Sequence, residues 1–374
     1  RKSVLFEDVS TITVKNSFFK NASSSHGFEI SDGSSSVVLD NVFIHNAGYD
    51  GSSAYGLYIS DSSGVTIKNN TKVGDSKTYE LYANGASTLK VQNSTFIGSN
   101  LALIEDSDGF LIEKSTFKDS SNGDYGVYIK NTDSGTFKDN TILNSASDDG
   151  TDYGALYLTG TTTNLLQNNT ITNSGRSGIH LKSSSTDNKI YSNTVSSSYY
   201  SGLYVQSSDR AKIRNNTFSS SGDHGIKVTS SDGSIIDNNT LSSNTDYGLY
   251  VSNSDDVITK ENTASDNNAG MYFSSSNDAI ISSNIVDDHT AYGIYLTDSK
   301  RLRIKQNEIK NSLDDALYLS SNCDDGFIDN NTIKNNGDSA AGRAVRLIEV
   351  EDTTLYNNTI DSNDYSGIVI TESS

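Results

Sequence analysis

The side chains best suited to proton chemistry in this sequence gather around His180. Short runs such as Gly-Leu-Tyr-Val recur along the chain, and in each the two aliphatic residues alternate with one that must face the other way. Read along the repeats, that outward position holds Glu29, Tyr58, Tyr82, Leu103, Tyr128, Tyr157, His180, Tyr204, Lys227, Tyr250, Tyr272, Tyr295, Tyr318, Arg346 and Val369. Tyr157 and Tyr204 therefore flank His180 one repeat to either side. Lys227 follows Tyr204, and Arg176 precedes the strand of His180. An imidazole and a phenol can exchange protons with a substrate, while a cation neutralises a carboxylate on it. His26, His45, His224 and His289 lie apart and show no metal-ligand spacing, and His224, just before Gly225, reads as a turn residue.

Nine of the fifteen outward positions are tyrosine: 58, 82, 128, 157, 204, 250, 272, 295 and 318. Two readings stand side by side. Tyrosines on neighbouring strands stabilise a sheet, by up to about 1 kcal/mol per pair. An aromatic stripe is also a contact surface, for sugar rings or for another copy of the same molecule.

Metal and modification signals are weaker. Acidic turns recur at Asp106-Ser107-Asp108-Gly109, Asp148-Asp149-Gly150, Ser231-Asp232-Gly233 and Asp324-Asp325-Gly326. Asp and Gly are what tight turns require. Neither an EF-hand loop nor a calcium-binding nonapeptide repeat occurs, so calcium is unsupported and no cofactor is expected. Cys323 is the single cysteine, which rules out an intrachain disulfide and a cysteine-based zinc cluster. Asn-x-Ser/Thr occurs at Asn21, Asn69, Asn93, Asn168, Asn215, Asn238, Asn330 and Asn357, several of them as a by-product of a repeated Asn-Asn-Thr.

The elements that would position these groups are set by a repeat. Asn-Thr-Ile or a close variant recurs at Asn140, Asn169, Asn193, Asn216, Asn239, Asn262, Asn331 and Asn358. Looser copies begin at Asn16, Asn41, Asn70, Ser94, Ser115, Asn284 and Asn307. Asn193, Asn216, Asn239 and Asn262 are spaced 23 residues apart, and Gly202, Gly225 and Gly248 keep the same period. Each repeat holds two or three short strands with period-2 alternation between polar turns, and helical periodicity is absent. Such a unit cannot bury its own apolar face but can do so by stacking on its neighbours. The expectation is an all-β, right-handed parallel β-helix of about fifteen coils, one domain over residues 1–374. The asparagines form an internal ladder, since Asn tolerates the left-handed backbone of a bend and its amide both donates and accepts.

Composition agrees. Hydrophobic residues are 33% of the chain, and proline, which would break a strand ladder, is absent. The formal charge of −19 excludes a basic nucleic-acid footprint. No apolar run is long enough to span a membrane. The chain begins at Arg1 without a signal peptide, which reads as a processed product or a trimmed piece.

The Asn-Asn-Thr-Ile and Tyr-Gly-Leu-Tyr units resemble right-handed parallel β-helix repeats of the pectate-lyase-like superfold. They are especially similar to the NosD-like carbohydrate-binding and sugar-hydrolase repeats of secreted and surface proteins in methanogenic archaea. Lyases and epimerases of this architecture use a base, a Tyr or His acid and a cation, which the resemblance maps onto His180, Tyr157, Tyr204 and Lys227. Their Asp-rich calcium constellation and Asp-Pro-His element have no counterpart here. Strand-like sequence reaches from Val4-Leu5-Phe6 to Gly367-Ile368-Val369-Ile370, without a capping helix at either end. The first expectation is therefore an extracellular structural protein of a sheath or surface layer that self-assembles through its sheets, with itself and surface polysaccharide as partners. The alternatives are a carbohydrate-active lyase or epimerase and a non-catalytic glycan-binding module.

Overall fold

Three bends per repeat follow from single residues. In the coil that starts at Ile226, the strands Ile226–Thr229, Ile235–Asp237 and Thr240–Ser242 are separated where Ser230, Asn238 and Ser243 take left-handed φ values of 50°, 53° and 57°. Small polar side chains hydrogen-bond their own backbone and tolerate that conformation better than most residues. The strands can thus be only a few residues long.

The computed structural model describes residues 4–22, 26–47, 54–120, 125–145, 153–337 and 342–372, and the expected turn Asp148-Asp149-Gly150 lies outside them. The chain forms two compact units, Arg1–Thr194 and Val195–Ser374. The described residues hold 46 strands and no helix. In each unit successive strands join a first, second and third sheet in turn, so every strand pairs in parallel with the one three earlier. The second and third series hold 15 strands each and the first 16, which makes about fifteen turns of a parallel β-solenoid.

Inward residues stack like on like. In the second unit Leu203, Ile226, Leu249, Met271, Ile294, Leu317 and Val345 are register partners on the first sheet. Phe218, Leu241, Ala264, Val286, Ile309 and Ile333 do the same on the third. All are buried. Burying each large aliphatic contributes about 1.5–3 kcal/mol, which a lone coil could not collect. Gly225 recurs because a Cβ there would lie 2.6 Å from the Gly248 carbonyl oxygen and 2.8 Å from Asn244 Nδ2.

At the bend into the third sheet the chain closes its hydrogen bonds with side chains. Asn262 Oδ1 accepts the Asn239 backbone N–H at 2.8 Å, while its Nδ2 donates to the Ile236 carbonyl at 2.9 Å and to Asn284 Oδ1 at 3.1 Å. Asn140 and Asn169 are linked in this way, as are Asn169 and Asn193. The links recur from Asn216 to Asn239 and through Asn284, Asn307, Asn331 and Asn358.

Two expectations need correction. The left-handed residue of this bend is not the ladder asparagine but the exposed residue before it: Asn168, Asn215, Asn238, Glu261, Gln306 or Asn330, with φ between 53° and 58°. One residue makes the bend so that the next can turn its amide inward. For the same reason Asn16, Asn41 and Asn70 stand at the bend, and the inward place falls to Ser17, Val42 and Thr71, whose carbonyls accept from Phe43, Lys72 and Thr95. The eight Asn-x-Ser/Thr asparagines are likewise all exposed bend residues with positive φ.

The other two bends carry ladders that the sequence pattern did not reveal. A serine row links Ser208, Ser231, Ser254, Ser276 and Ser299, each Oγ accepting the N–H of the previous member at 3.0–3.2 Å. Cys323 continues it, its Sγ donating to the Ser320 carbonyl at 3.1 Å. The third row runs Asn244, Asn267 and His289, then Ser312, Asn336 and Asn363. Replacing Asn262 with Ala strands buried groups of Asn239 and Ile236, and should cost about 2–4 kcal/mol in chemical unfolding. Asn238→Gly, one bend residue away, should stay within about 0.5 kcal/mol of the parent.

Glu80 breaks the pattern in the first unit. The register sets it against Gly56 in one neighbouring coil and Leu101 in the other. Its fully buried carboxylate accepts backbone N–H groups of Ser76 at 3.2 Å and Ser99 at 3.1 Å. Burial outweighs those bonds and pushes its pKa up from 4.5 to about 7. A raised carboxyl pKa stabilises the fold fully below pH 4.5, and that contribution is lost as pH rises through 7. The unfolding free energy of the parent minus that of Glu80→Gln should therefore fall by about 3 kcal/mol between pH 4.5 and 8.

Candidate functional site

The outward side of the first sheet carries the aromatic rows. In the first unit the register aligns Glu29, Tyr58, Tyr82, Leu103, Tyr128, Tyr157 and His180. In the second it aligns Tyr204, Lys227, Tyr250, Tyr272, Tyr295, Tyr318, Arg346 and Val369. Parallel strands with zero stagger put like side chains one strand spacing apart, so the rings pack on one another. Tyr58 and Tyr82 stack at 5.5 Å, Tyr250 and Tyr272 at 5.1 Å, and Tyr295 and Tyr318 at 4.7 Å.

A second row, three residues earlier, was not singled out in the sequence although it is written in the first Tyr of Tyr-Gly-Leu-Tyr. It contributes Tyr55, Tyr79 and Tyr125 in the first unit, and His224, Tyr247 and Tyr292 in the second. Tyr55 lies 4.8 Å from Tyr82, the Tyr79 and Tyr125 hydroxyls hydrogen-bond, and Tyr247 packs on Tyr272 at 5.2 Å. Together the rows make a paired aromatic face in which most rings are half-buried. Burial raises the pKa of Tyr82 and Tyr247 to about 12 and also lifts those of Tyr55, Tyr272 and Tyr292. These phenols stay protonated at neutral pH: they offer ring faces and hydroxyl groups, and none is a base.

The cations sit at defined places on the second unit's row. Lys227 lies over Tyr204 at 5.3 Å and Tyr250 at 5.5 Å. Arg346 lies over Tyr318 at 4.7 Å and donates to buried Asp315 at 3.2 Å. In the first unit Arg176 covers Tyr153 at 4.9 Å.

The structure pairs Tyr157 with His180 and Tyr204 with Lys227 in register. His180, however, is 0% exposed and Tyr157 is buried, so neither meets solvent as a polymer substrate would require. The His180 ring packs on Tyr157 at 5.3 Å, and alternation alone does not reveal its burial. Titratable groups converge instead at His224, which the sequence presented as a turn residue; it is itself buried, beside the half-buried Asp223 and Asp246. Its Nε2 is 3.3 Å from Asp223 Oδ1, and its Nδ1 is 3.5 Å from Asp246 Oδ2. Burial drives the imidazole pKa down, so the ring is neutral at pH 7. The Asp246 carboxyl is pushed up by burial, against a side-chain hydrogen bond from Asn268. Only a motif linking residues 23 apart, Asp-His in one coil and Asp in the next, could have exposed this cluster.

The family model described as "Right handed beta helix region" matches residues 2–96, 79–235 and 154–300, and the chain belongs to that family. The model described as "Periplasmic copper-binding protein (NosD)" matches residues 247–374. No curated protein sequence matches the chain. Among solved structures, a periplasmic alginate epimerase AlgG mutant is similar at 12% identity and TM-score 0.51, covering 83% of this chain and 77% of that one. The Streptococcus pneumoniae surface protein and adhesin PfbA aligns at 12% identity and TM-score 0.43, covering 80% and 91%. These likenesses concern the fold.

Among the described residues of the matching span, the copper named for the NosD family finds no fitting donor set. Copper favours imidazole, thiolate and thioether. There Cys323 is buried with its thiol pKa pushed up to about 11, and Met271 is sealed in the core. His289 is part of the third bend's ladder, with Nδ1 3.3 Å from the Asn267 backbone nitrogen. Among the described residues the only three His, Cys, Asp or Glu side chains that converge are Asp223, His224 and Asp246, all before that span.

Stacking gives the tyrosine rows a measurable share of stability. Tyr295→Ala removes ring contacts to Tyr272, Tyr292 and Tyr318. It should lower the unfolding free energy by about 1–2 kcal/mol, whereas Tyr199→Ala, at an exposed ring, should change it by under about 0.5 kcal/mol.

Proposed function

We propose that this chain is an extracytoplasmic β-helix protein that holds a polysaccharide against its paired tyrosine rows without cleaving it. The observation that carries the reading is the half-exposed aromatic face in register, with ring centroids 4.7–5.5 Å apart along the stack. That spacing is close to the rise of one sugar in an extended polysaccharide, so successive sugars can meet successive rings. Aromatic faces take up the apolar faces of sugars, and phenol hydroxyls hydrogen-bond their edges. An extracytoplasmic place is supported by the relatives: the NosD family and the AlgG epimerase are described as periplasmic, and PfbA as a surface protein. A lyase or epimerase mechanism through His180 has no support in the geometry, because that imidazole is enclosed.

A second reading, a structural component of a cell envelope that assembles from copies of itself, draws on the same tyrosine face with another copy of the chain in place of sugar. One experiment separates the two. The intact chain is run in affinity gels containing neutral or acidic polysaccharides, beside Tyr272→Ala/Tyr295→Ala, with sedimentation at rising protein concentration. Binding to at least one polysaccharide, weakened tenfold or more by the double substitution, is expected. Concentration-dependent assembly without retention would favour the envelope role. Neither retention nor assembly would overturn both.

A further inference from the structure

We infer that the polysaccharide held by the second unit's tyrosine rows carries amino groups. This rests on the glycan reading above and adds the charge of the ligand to it. The face already holds two nitrogen cations in one kind of setting. The Lys227 ammonium lies 5.3 Å from the Tyr204 ring and 5.5 Å from the Tyr250 ring, with Asp223 Oδ2 3.7 Å away. The Arg346 guanidinium lies over Tyr318 at 4.7 Å, with Asp315 Oδ2 3.2 Å away. In both, ring faces attract the cation and a carboxylate balances its charge.

Between these two places the register sets Tyr272 and Tyr295 in the outer row, with Tyr247 and Tyr292 packed beside them. Carboxylates border both sides of these rings. Asp246 and Asp314 stand where the chain enters the first sheet, before Tyr247–Ser252 and Leu317–Ser320, and Asp298 stands where it leaves, after Ile294–Thr297. Among the described residues no lysine or arginine pairs with any of the three. Beyond burial, their fields add to the raised pKa of the phenols: Asp246 at Tyr247, Asp298 at Tyr272 and Asp314 at Tyr292. The middle of the face thus repeats the rings and carboxylates of the Lys227 setting with no lysine of its own. A protonated amine on a sugar matches that combination. Sugars that follow the coil spacing bring one ammonium to each coil. A uronate polymer would instead set its carboxylates against these aspartates, on a chain whose formal charge is −19.

The test is calorimetric titration of the intact chain with oligomers of glucosamine, N-acetylglucosamine and glucuronate, matched in length, at a pH where the amine is protonated and the aspartates are ionised. Tyr272→Ala/Tyr295→Ala, Asp246→Asn and Asp298→Asn are run beside it, and circular dichroism checks that each is folded. The glucosamine oligomer is expected to bind at least tenfold more tightly than the N-acetylated one, and the glucuronate oligomer not to bind. The tyrosine substitutions should weaken glucosamine binding tenfold or more. Each aspartate substitution should weaken it about threefold and leave the N-acetylated oligomer unchanged. If Asp246→Asn fails to fold, Asp298→Asn, at an exposed position, decides. Binding of the N-acetylated or glucuronate oligomer as tight as that of glucosamine, and lost in the tyrosine variant, would overturn the amine and leave the glycan reading standing. Glucosamine binding that survives the tyrosine substitutions, or that is equal in the folded aspartate variants, would also overturn it. Binding of none of the three would overturn it too, and the polysaccharide gels then decide the glycan reading by themselves.

Discussion

A parallel coil must turn its backbone through bends that its neighbours above and below bury, and every N–H and carbonyl there needs a partner. The rest of this structure depends on how that need is met. Inward asparagine and serine side chains, with Thr71, Thr132, Cys323 and His289 in their place in some coils, stand in for the strand partners that the bends lack, one row at each corner. Each side chain bonds the backbone of an adjacent coil. Such a bond forms only when neighbouring coils sit in register, so the rows convert a local hydrogen-bond requirement into a rule of stacking. The like-on-like core and the tyrosine rows follow from that register.

This division of labour accounts for the unusual composition. The outer bend residue needs tolerance of positive φ and nothing else, which is why Asn238, Glu261, Ser283 and Gln306 all serve in successive coils. The inner residue needs an acceptor and a donor at fixed reach, which is why Asn239, Asn262, Asn284 and Asn307 do not vary. Glu80 shows what a departure costs: a carboxyl facing a glycine of one coil and a leucine of the next keeps its partners but loses its easy ionisation.

Much of the fold was legible in the sequence because a period of 23 residues repeats both the asparagine and the Tyr-Gly-Leu-Tyr unit. Alternation about Leu249 and Val251 was enough to set Tyr250 on the outer side, and the register of its row followed. The serine and second asparagine rows were hidden, since Ser231 and Asn244 sit among many other polar turn residues with no distinguishing neighbour. Asn16, Asn41 and Asn70 misled for the opposite reason, because a bend asparagine and a ladder asparagine look alike in a one-dimensional pattern. The candidate site was the least legible part. His180 faces outward by alternation but is buried, and His224, beside Asp223 in its own coil, meets Asp246 only through the next one.

The central claim is that side-chain amides inside the bends act as members of the strand ladder. Side-chain amide hydrogen exchange tests it most directly, because it reads the Nδ2–H groups themselves. The account predicts that those of Asn239, Asn262, Asn284 and Asn307 exchange as slowly as the backbone N–H groups of the strands they join, while those of Asn215 and Asn238 exchange quickly. Equally fast exchange at both sets would contradict it.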